Sequence, residues 1–166
     1  LFIARNNALG RIEASEYDAI REVDVLTSDL APVRENVYFV CTNGQRDLCC
    51  ARYGLPTFAR LQELVGARVW QTTHLGGHRF APNVLALPQG ILYGRVDVEE
   101  VDAFVTTIES GEVSRSHVRG RSAFPPEAQF AEMQVAGRVE ALLDIRDDRV
   151  RFRTNLGEEE VRVRSA

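Results

Sequence analysis

The chain has 166 residues, of which 45% are hydrophobic and 27% are charged, and this balance is typical of one globular unit with a single core. Its net charge of -4 provides no concentrated positive charge for nucleic acid or an anionic membrane, so neither is expected as a partner. No apolar run approaches the roughly 20 residues of a membrane helix, and the first residues lack the apolar core of a signal peptide, so a cytoplasmic protein is expected.

The first two thirds of the chain predict alternating strands and helices. Residues 36–40 are aromatic and β-branched, and they predict a buried strand that delivers Cys41 at its end. Residues 51–65 carry apolar side chains at helical spacing, and Pro56 is expected near the start of the main helical body. The further predicted elements are a strand in 1–5, a helical turn or edge segment in 13–23, a strand in 67–73, a hairpin of 84–88 with 91–96, and a helix in 98–111. This order favours a thioredoxin-like α/β fold, with a mixed sheet flanked by helices.

The composition changes after the last of these helices. We expect a thioredoxin-like domain in residues 1–112 and a C-terminal extension in residues 113–166 that packs on it. Two prolines followed by a mixed apolar pattern predict a helix in 125–143. Charges on alternate positions predict a terminal β-hairpin of 149–154 with 159–164.

Residues with metal-binding side chains are rare in this chain and lie close together in the sequence. All three cysteines and two of the three histidines lie between residues 40 and 94. Zinc or a two-iron cluster would accept the two thiols and two imidazoles of Cys41, Cys50, His74 and His78. A whole loop separates Cys41 from Cys50, whereas structural zinc sites usually pair cysteines that are two to four residues apart. Zinc is therefore the less favoured of the two metals, and it is kept as an alternative. Buried, inert cysteines are the simpler alternative.

Three stretches of the chain carry a resemblance to a known family. CTNGQRDLCC, WQTTHLGGHRFAPNVLALPQGILYGR and RGRSAFPPEAQFAE resemble, in this order, the sucrase/ferredoxin-like family. The resemblance implies a thioredoxin-like ferredoxin domain and a [2Fe-2S] cluster, with a Cys-x8-Cys and His-x3-His ligand pattern that falls on Cys41, Cys50, His74 and His78. Cys49 is the alternate ligand to Cys50. Asn43 stands where the family motif usually has histidine, which removes none of the four expected ligands.

Other residues of these stretches receive structural interpretations. Gly76 and Gly77 are expected to let the backbone approach the cluster closely. Arg46 and Arg79 are interpreted as hydrogen-bond donors near the cluster sulfurs, as charges that steer an acidic partner, or as solvated surface arginines. Arg119, Arg121 and Gln129 are expected to pack the C-terminal extension over the cluster loop, and the alternative is that they bind an anion. Trp70 is expected in the core of its strand, with a place along an electron path as the alternative, and His117 is expected at the surface.

The predicted function is one-electron transfer, coupled to proton uptake at a histidine ligand. An electron carrier that serves a redox partner protein is favoured over a stand-alone enzyme. One alternative is a metal-free thiol redox protein or sensor that uses Cys49 and Cys50, and another is a zinc-stabilised binding module. Glycoside hydrolysis is not expected, because no pair of acidic residues stands in a recognisable site motif.

Overall fold

Residues 1–5 and 8–163 are described by the computed structural model, and within them the chain forms three β-sheets and three α-helices. The strands are β1 (Phe2–Arg5), β2 (Ala8–Arg11), β3 (Ala31–Val33), β4 (Val37–Cys41), β5 (Val69–Thr72), β6 (Asn83–Leu87), β7 (Ile91–Gly94), β8 (Val118–Arg121), β9 (Val139–Arg146), β10 (Arg149–Thr154) and β11 (Gly157–Arg162). The α-helices are α1 (Leu48–Val65), α2 (Val101–Glu109) and α3 (Pro126–Glu132). Short 3-10 helices occupy Asp18–Glu22, Gly66–Arg68, His78–Phe80 and Val98–Glu100.

The central sheet has five strands in the order β5-β4-β6-β7-β8. Strand β4 pairs in parallel with β5, with Cys41 opposite Thr72, while the other neighbouring strands pair antiparallel. Helix α1 makes the crossover between the two parallel strands, as a parallel pair requires. The mixed sheet with flanking helices confirms the predicted fold class.

Aromatic side chains fill the core between this sheet and the helices. Tyr38 of β4, Tyr93 of β7 and Phe104 of α2 are each at most 1% exposed. The ring centroid of Phe104 lies 6.3 Å from that of Tyr38 and 5.0 Å from that of Tyr93, in edge-on arrangements that aromatic pairs prefer. Most of the predicted apolar face of each helix is buried with them, including Leu61 of α1 and Ile108 of α2, but Leu64 of α1 is 40% exposed.

Helix α1 begins three residues earlier than its apolar spacing predicts. Asp47 is the N-cap, and its carboxylate accepts a hydrogen bond from the backbone N–H of Cys49 at 2.9 Å. Cys49 and Cys50 therefore lie in the first turn of the helix. Pro56 lies inside the helix and not at the start of its main body, so that expectation is wrong.

The C-terminal part contains more strand than the sequence predicts. The expected helix in 125–143 is correct only as far as Glu132, because residues 139–146 form β9. Antiparallel pairing of β9 with β10 overrides the local helical pattern. The hairpin of β10 and β11 is confirmed, although residue 164 of its predicted second strand lies outside the described residues.

A separate three-stranded sheet precedes the central one. The predicted strand in 1–5 is confirmed as β1, and residues 18–22 of the segment 13–23 form a 3-10 helix. The Phe2 ring of β1 lies edge-on to Phe39 and to Trp70, with centroids 5.7 and 5.8 Å away. Trp70 remains 41% exposed, so its predicted core position is wrong: it lies on the edge strand β5.

Strand β8 follows residue 112 in the sequence and yet completes the central sheet beside β7. The proposed boundary between residues 1–112 and 113–166 stays a prediction. Among the residues that the structure describes, no helix is both long and apolar enough to cross a membrane.

Candidate metal centre

Cys41 is the last residue of the inner strand β4, and it lies at the end of the sheet where α1 begins. Cys41 is only 1% exposed. A Cβ at Gly54 of α1 would collide with the carbonyl oxygen of Cys41, so glycine allows the helix to approach the strand end. This close contact brings the first turn of α1 over Cys41.

Cys50 faces inward from that first turn and is fully buried. Burial, and secondly the neighbouring Cys41 thiol, raises the pKa of Cys50 to about 12. Without a cation nearby, this thiol therefore stays protonated at neutral pH. A bound metal ion reverses this preference, because it stabilises the thiolate.

His74 completes a group of three donors. Its Nδ1 lies 3.6 Å from Sγ of Cys50 and 3.9 Å from Sγ of Cys41. The three donor atoms all lie within 4.8 Å of one another. Two thiols and one imidazole, gathered at a largely buried point, form a donor set for a soft or borderline metal.

The loop of residues 74–78, here called the histidine loop, is held by contacts from distant strands. Gly76 and Gly77 both have positive φ, +83° and +65°, which glycine adopts without strain. Nη1 of Arg119 donates to the carbonyl oxygen of Gly76 at 2.9 Å, and Nδ2 of Asn83 donates to that of Gly77 at 3.3 Å. The Arg119 side chain also occupies the space that a Cβ at Gly77 would need. The absence of a side chain at Gly77 therefore leaves room for the guanidinium group of Arg119.

His78 lies apart from the three donors. Its Nδ1 is 3.4 Å from Oδ2 of Asp47, and its side chain is 57% exposed. The hydrogen bond from the backbone N–H of Cys49 is the main reason that the pKa of Asp47 lies below its usual value, and His78 and His74 lower it further. Asp47 therefore remains ionised beside the His78 ring.

Cys49 occupies a different environment from its neighbour Cys50. Its residue is partly exposed, and a side-chain hydrogen bond with Asp47, followed by desolvation, raises the pKa of its thiol. Within the residues that the structure describes, the candidate donor group contains Cys50 and not Cys49. This geometry favours Cys50 as the ligand of the pair.

His117 is not the surface histidine that the sequence predicts. Its side chain is only 10% exposed, and its ring lies edge-on to Phe104 at 5.9 Å. Nδ1 of His117 lies 2.8 Å from Oγ of Ser114, and Nε2 lies 3.3 Å from Oε2 of Glu100. The strand β8 that follows His117 carries it into the core side of the sheet, which a local pattern does not reveal.

Arg121 and Gln129 of the third sequence stretch have the packing role that was expected. Arg121 binds Glu132 of α3 with Nη2 to Oε1 at 2.6 Å, and its Nη1 donates to the Gln89 carbonyl oxygen. Nε2 of Gln129 donates to the carbonyl oxygen of Phe124 at 2.8 Å. These bonds fasten α3 and its preceding loop to the central sheet. Arg119 instead fastens the histidine loop.

The sequence and the fold both have counterparts among known proteins. The family profile described as sucrase/ferredoxin-like matches residues 5–120 of the chain. "Altered inheritance of mitochondria protein 32" of Meyerozyma guilliermondii is 35% identical over 100 residues, which cover 53% of this chain and 35% of that protein. The protein of the same name from Clavispora lusitaniae is 31% identical over 100 residues, covering 55% of this chain and 37% of its own length. The chain thus spans little more than a third of these two curated relatives.

A solved structure of a thioredoxin-like [2Fe-2S] ferredoxin from Aquifex aeolicus resembles the fold. The TM-score is 0.50 at 21% sequence identity, and the match covers 57% of this chain and 98% of the ferredoxin. At this identity the likeness concerns the fold. It places the central sheet and its helices in a thioredoxin-like arrangement.

Proposed function

This chain belongs to the sucrase/ferredoxin-like family, and we propose that it is a [2Fe-2S] protein that works in one-electron transfer. The observation that carries the proposal is the convergence of Sγ of Cys41, Sγ of Cys50 and Nδ1 of His74 within 4.8 Å. The proposed ligands are these three residues and His78. When bound, such a cluster takes up and releases one electron.

The residues around the donors suit this role. Cys41 and Cys50 are almost completely shielded, which keeps water away from their sulfur atoms. His74 presents Nδ1 to both sulfurs, so its Nε2 is left to hold a proton. Asp47 lies beside Nδ1 of His78 and leaves Nε2 of that ring free for a metal. A carboxylate on the second nitrogen is the usual way in which proteins orient a metal-binding histidine.

Zinc is the second candidate, because two cysteines and a histidine at this separation also suit a structural zinc site. In that case the protein would be a binding module without redox chemistry. The metal-free thiol alternative needs Cys49 and Cys50 to act together. It is disfavoured because Cys50 faces Cys41 and His74, whereas Cys49 lies next to Asp47.

Anaerobic purification tests the proposal directly. We expect a brown protein with about two irons per chain, and a reduced-state electron paramagnetic resonance signal with a low average g value. A colourless protein that contains zinc and resists reconstitution with iron and sulfide would support the zinc module. A colourless protein without either metal would leave the thiol alternative.

The midpoint potential of the loaded protein is predicted to depend on pH. If reduction is accompanied by proton uptake at Nε2 of His74, the potential falls as the pH rises, by up to about 59 mV per pH unit for one electron and one proton. Redox titrations between neutral and alkaline pH measure this slope. The comparison is His74→Cys, which retains a ligand but lacks this ring proton, so the slope should be smaller than in the unmodified protein. A flat potential in the unmodified protein would rule out proton uptake at this ring.

A further inference from the structure

A group of three arginines surrounds one aromatic ring next to the histidine loop. The guanidinium carbons of Arg79, Arg95 and Arg119 lie 5.2, 5.5 and 4.8 Å from the centroid of the Phe80 ring. These residues, here called the arginine cluster, come from the 3-10 helix after the loop, from the residue after β7 and from β8. Contact with one ring holds three positive charges close together, where they repel one another. Each guanidinium group is also attracted by the negative face of the ring.

The charges of the arginine cluster are not neutralised by carboxylates. Within residues 1–5 and 8–163, no ion pair joins any of the three guanidinium groups to an acidic side chain. Arginines elsewhere do hold carboxylates, as Arg60 holds Asp102 at 2.6 Å. Desolvation, followed by the nearby charge of Arg79, lowers the pKa of Arg119. The cluster therefore carries an electrostatic cost that a bound anion would relieve.

A cavity of about 390 Å³ opens beside the arginine cluster, and two of the three arginines line it. Phe80, Arg95 and Arg119 line it, together with Ser116 and His117. A carboxylate reaches the His117 side of this cavity, because Glu100 contacts Nε2 of that ring. The volume lies within the range of small-molecule sites, and the wall combines an aromatic face with convergent polar groups.

We propose that this cavity is a binding site for a small phosphate-bearing anion. Arg95 and Arg119 would bind its oxygens, and Arg79, which contacts the same Phe80 ring but does not line the cavity, would add positive charge nearby. Cations spread around a cavity match an anion with several acceptor oxygens, and guanidinium groups bind phosphate through paired hydrogen bonds. Since Arg119 also donates to the carbonyl oxygen of Gly76, the ligand would contact the group that holds the histidine loop.

Isothermal titration calorimetry of the full chain with inorganic phosphate tests this site. The ionic strength is kept constant with sodium chloride, so that only specific binding produces saturable heat. We expect one saturable site, and we expect Arg79→Gln and Arg95→Gln each to weaken it by about tenfold. Neither side chain forms a hydrogen bond within the part of the chain that the structure describes, so both variants should fold.

The matched control is Arg34→Gln, which removes the same charge from an exposed arginine that does not line the cavity. It should bind phosphate as the unmodified protein does. Absence of saturable binding in the unmodified protein would overturn the proposal. Equal weakening by Arg34→Gln and the two cluster variants would overturn it as well, because net charge alone would then explain the binding.

Discussion

Replacing Cys50 with serine is expected to remove the iron, leaving less than about one-tenth of the amount that the unmodified protein holds, because metal binding requires the thiolate. Cys50 is fully buried and lies with Cys41 and His74 in the candidate donor group. A serine hydroxyl stays protonated and is a poor ligand for iron. Iron analysis and the visible absorption of anaerobically purified protein measure the effect.

Cys49→Ser is the matched control, since it makes the same chemical change at the adjacent position. Cys49 is partly exposed and lies outside the donor group of the described residues, so this variant should keep its iron. Circular dichroism spectra of both variants check that the helix α1 is intact. Iron retained by Cys50→Ser and lost by Cys49→Ser would transfer the ligand role to Cys49.

Glu132→Gln is expected to lower the free energy of unfolding by about 3 kcal/mol, because it leaves a buried arginine without its counter-charge. The Arg121 side chain is 4% exposed and that of Glu132 is 11% exposed. Arg121 also donates from Nη2 to the carbonyl oxygen of Val139 in β9, at 3.4 Å. The pair therefore joins β8, α3 and β9 in a place that water hardly reaches. Urea unfolding followed by circular dichroism measures the change.

Glu160→Gln provides the comparison for this effect. Its carboxylate pairs with Arg149 at 2.7 Å, but the two side chains are 43% and 59% exposed. Exposed ion pairs contribute about 0–1 kcal/mol, so this variant should unfold almost as the unmodified protein does. Equal losses in the two variants would show that burial of the Arg121 pair adds nothing to stability.

Much of the donor arrangement follows from local patterns in the sequence. A β-branched run that ends before Cys41 predicts a strand end, and two consecutive glycines after His74 predict a loop. Both predictions are confirmed. Because a strand end and a loop beside the next parallel strand meet at one sheet edge, the meeting of Cys41 with His74 was foreseeable.

The position of His78 was not foreseeable in this way. The His-x3-His spacing treats both rings alike, but the structure places His78 near Asp47 and outside the group of three donors. The difference arises from the backbone after the glycines, where the chain enters a 3-10 helix at His78. Ligation by His78 therefore stays a prediction. The direction of the His78 side chain depends on a few backbone dihedral angles that residue spacing does not specify.

The residue types and their short-range order were sufficient to predict the mixed sheet, the helices α1 and α2, and the cluster of cysteines and histidines as candidate donors, whereas the four-ligand set came from the family resemblance and stays a prediction. These features depend on side-chain periodicity, capping and glycine conformations, which act over a few neighbouring residues. The tertiary structure was needed to see that β8 joins the central sheet, where Arg119 reaches the histidine loop and Arg121 reaches α3. It was also needed to see β9, because pairing with β10 outweighs the helical pattern of residues 139–143. Such contacts join residues that are far apart in the chain, so no local pattern encodes them.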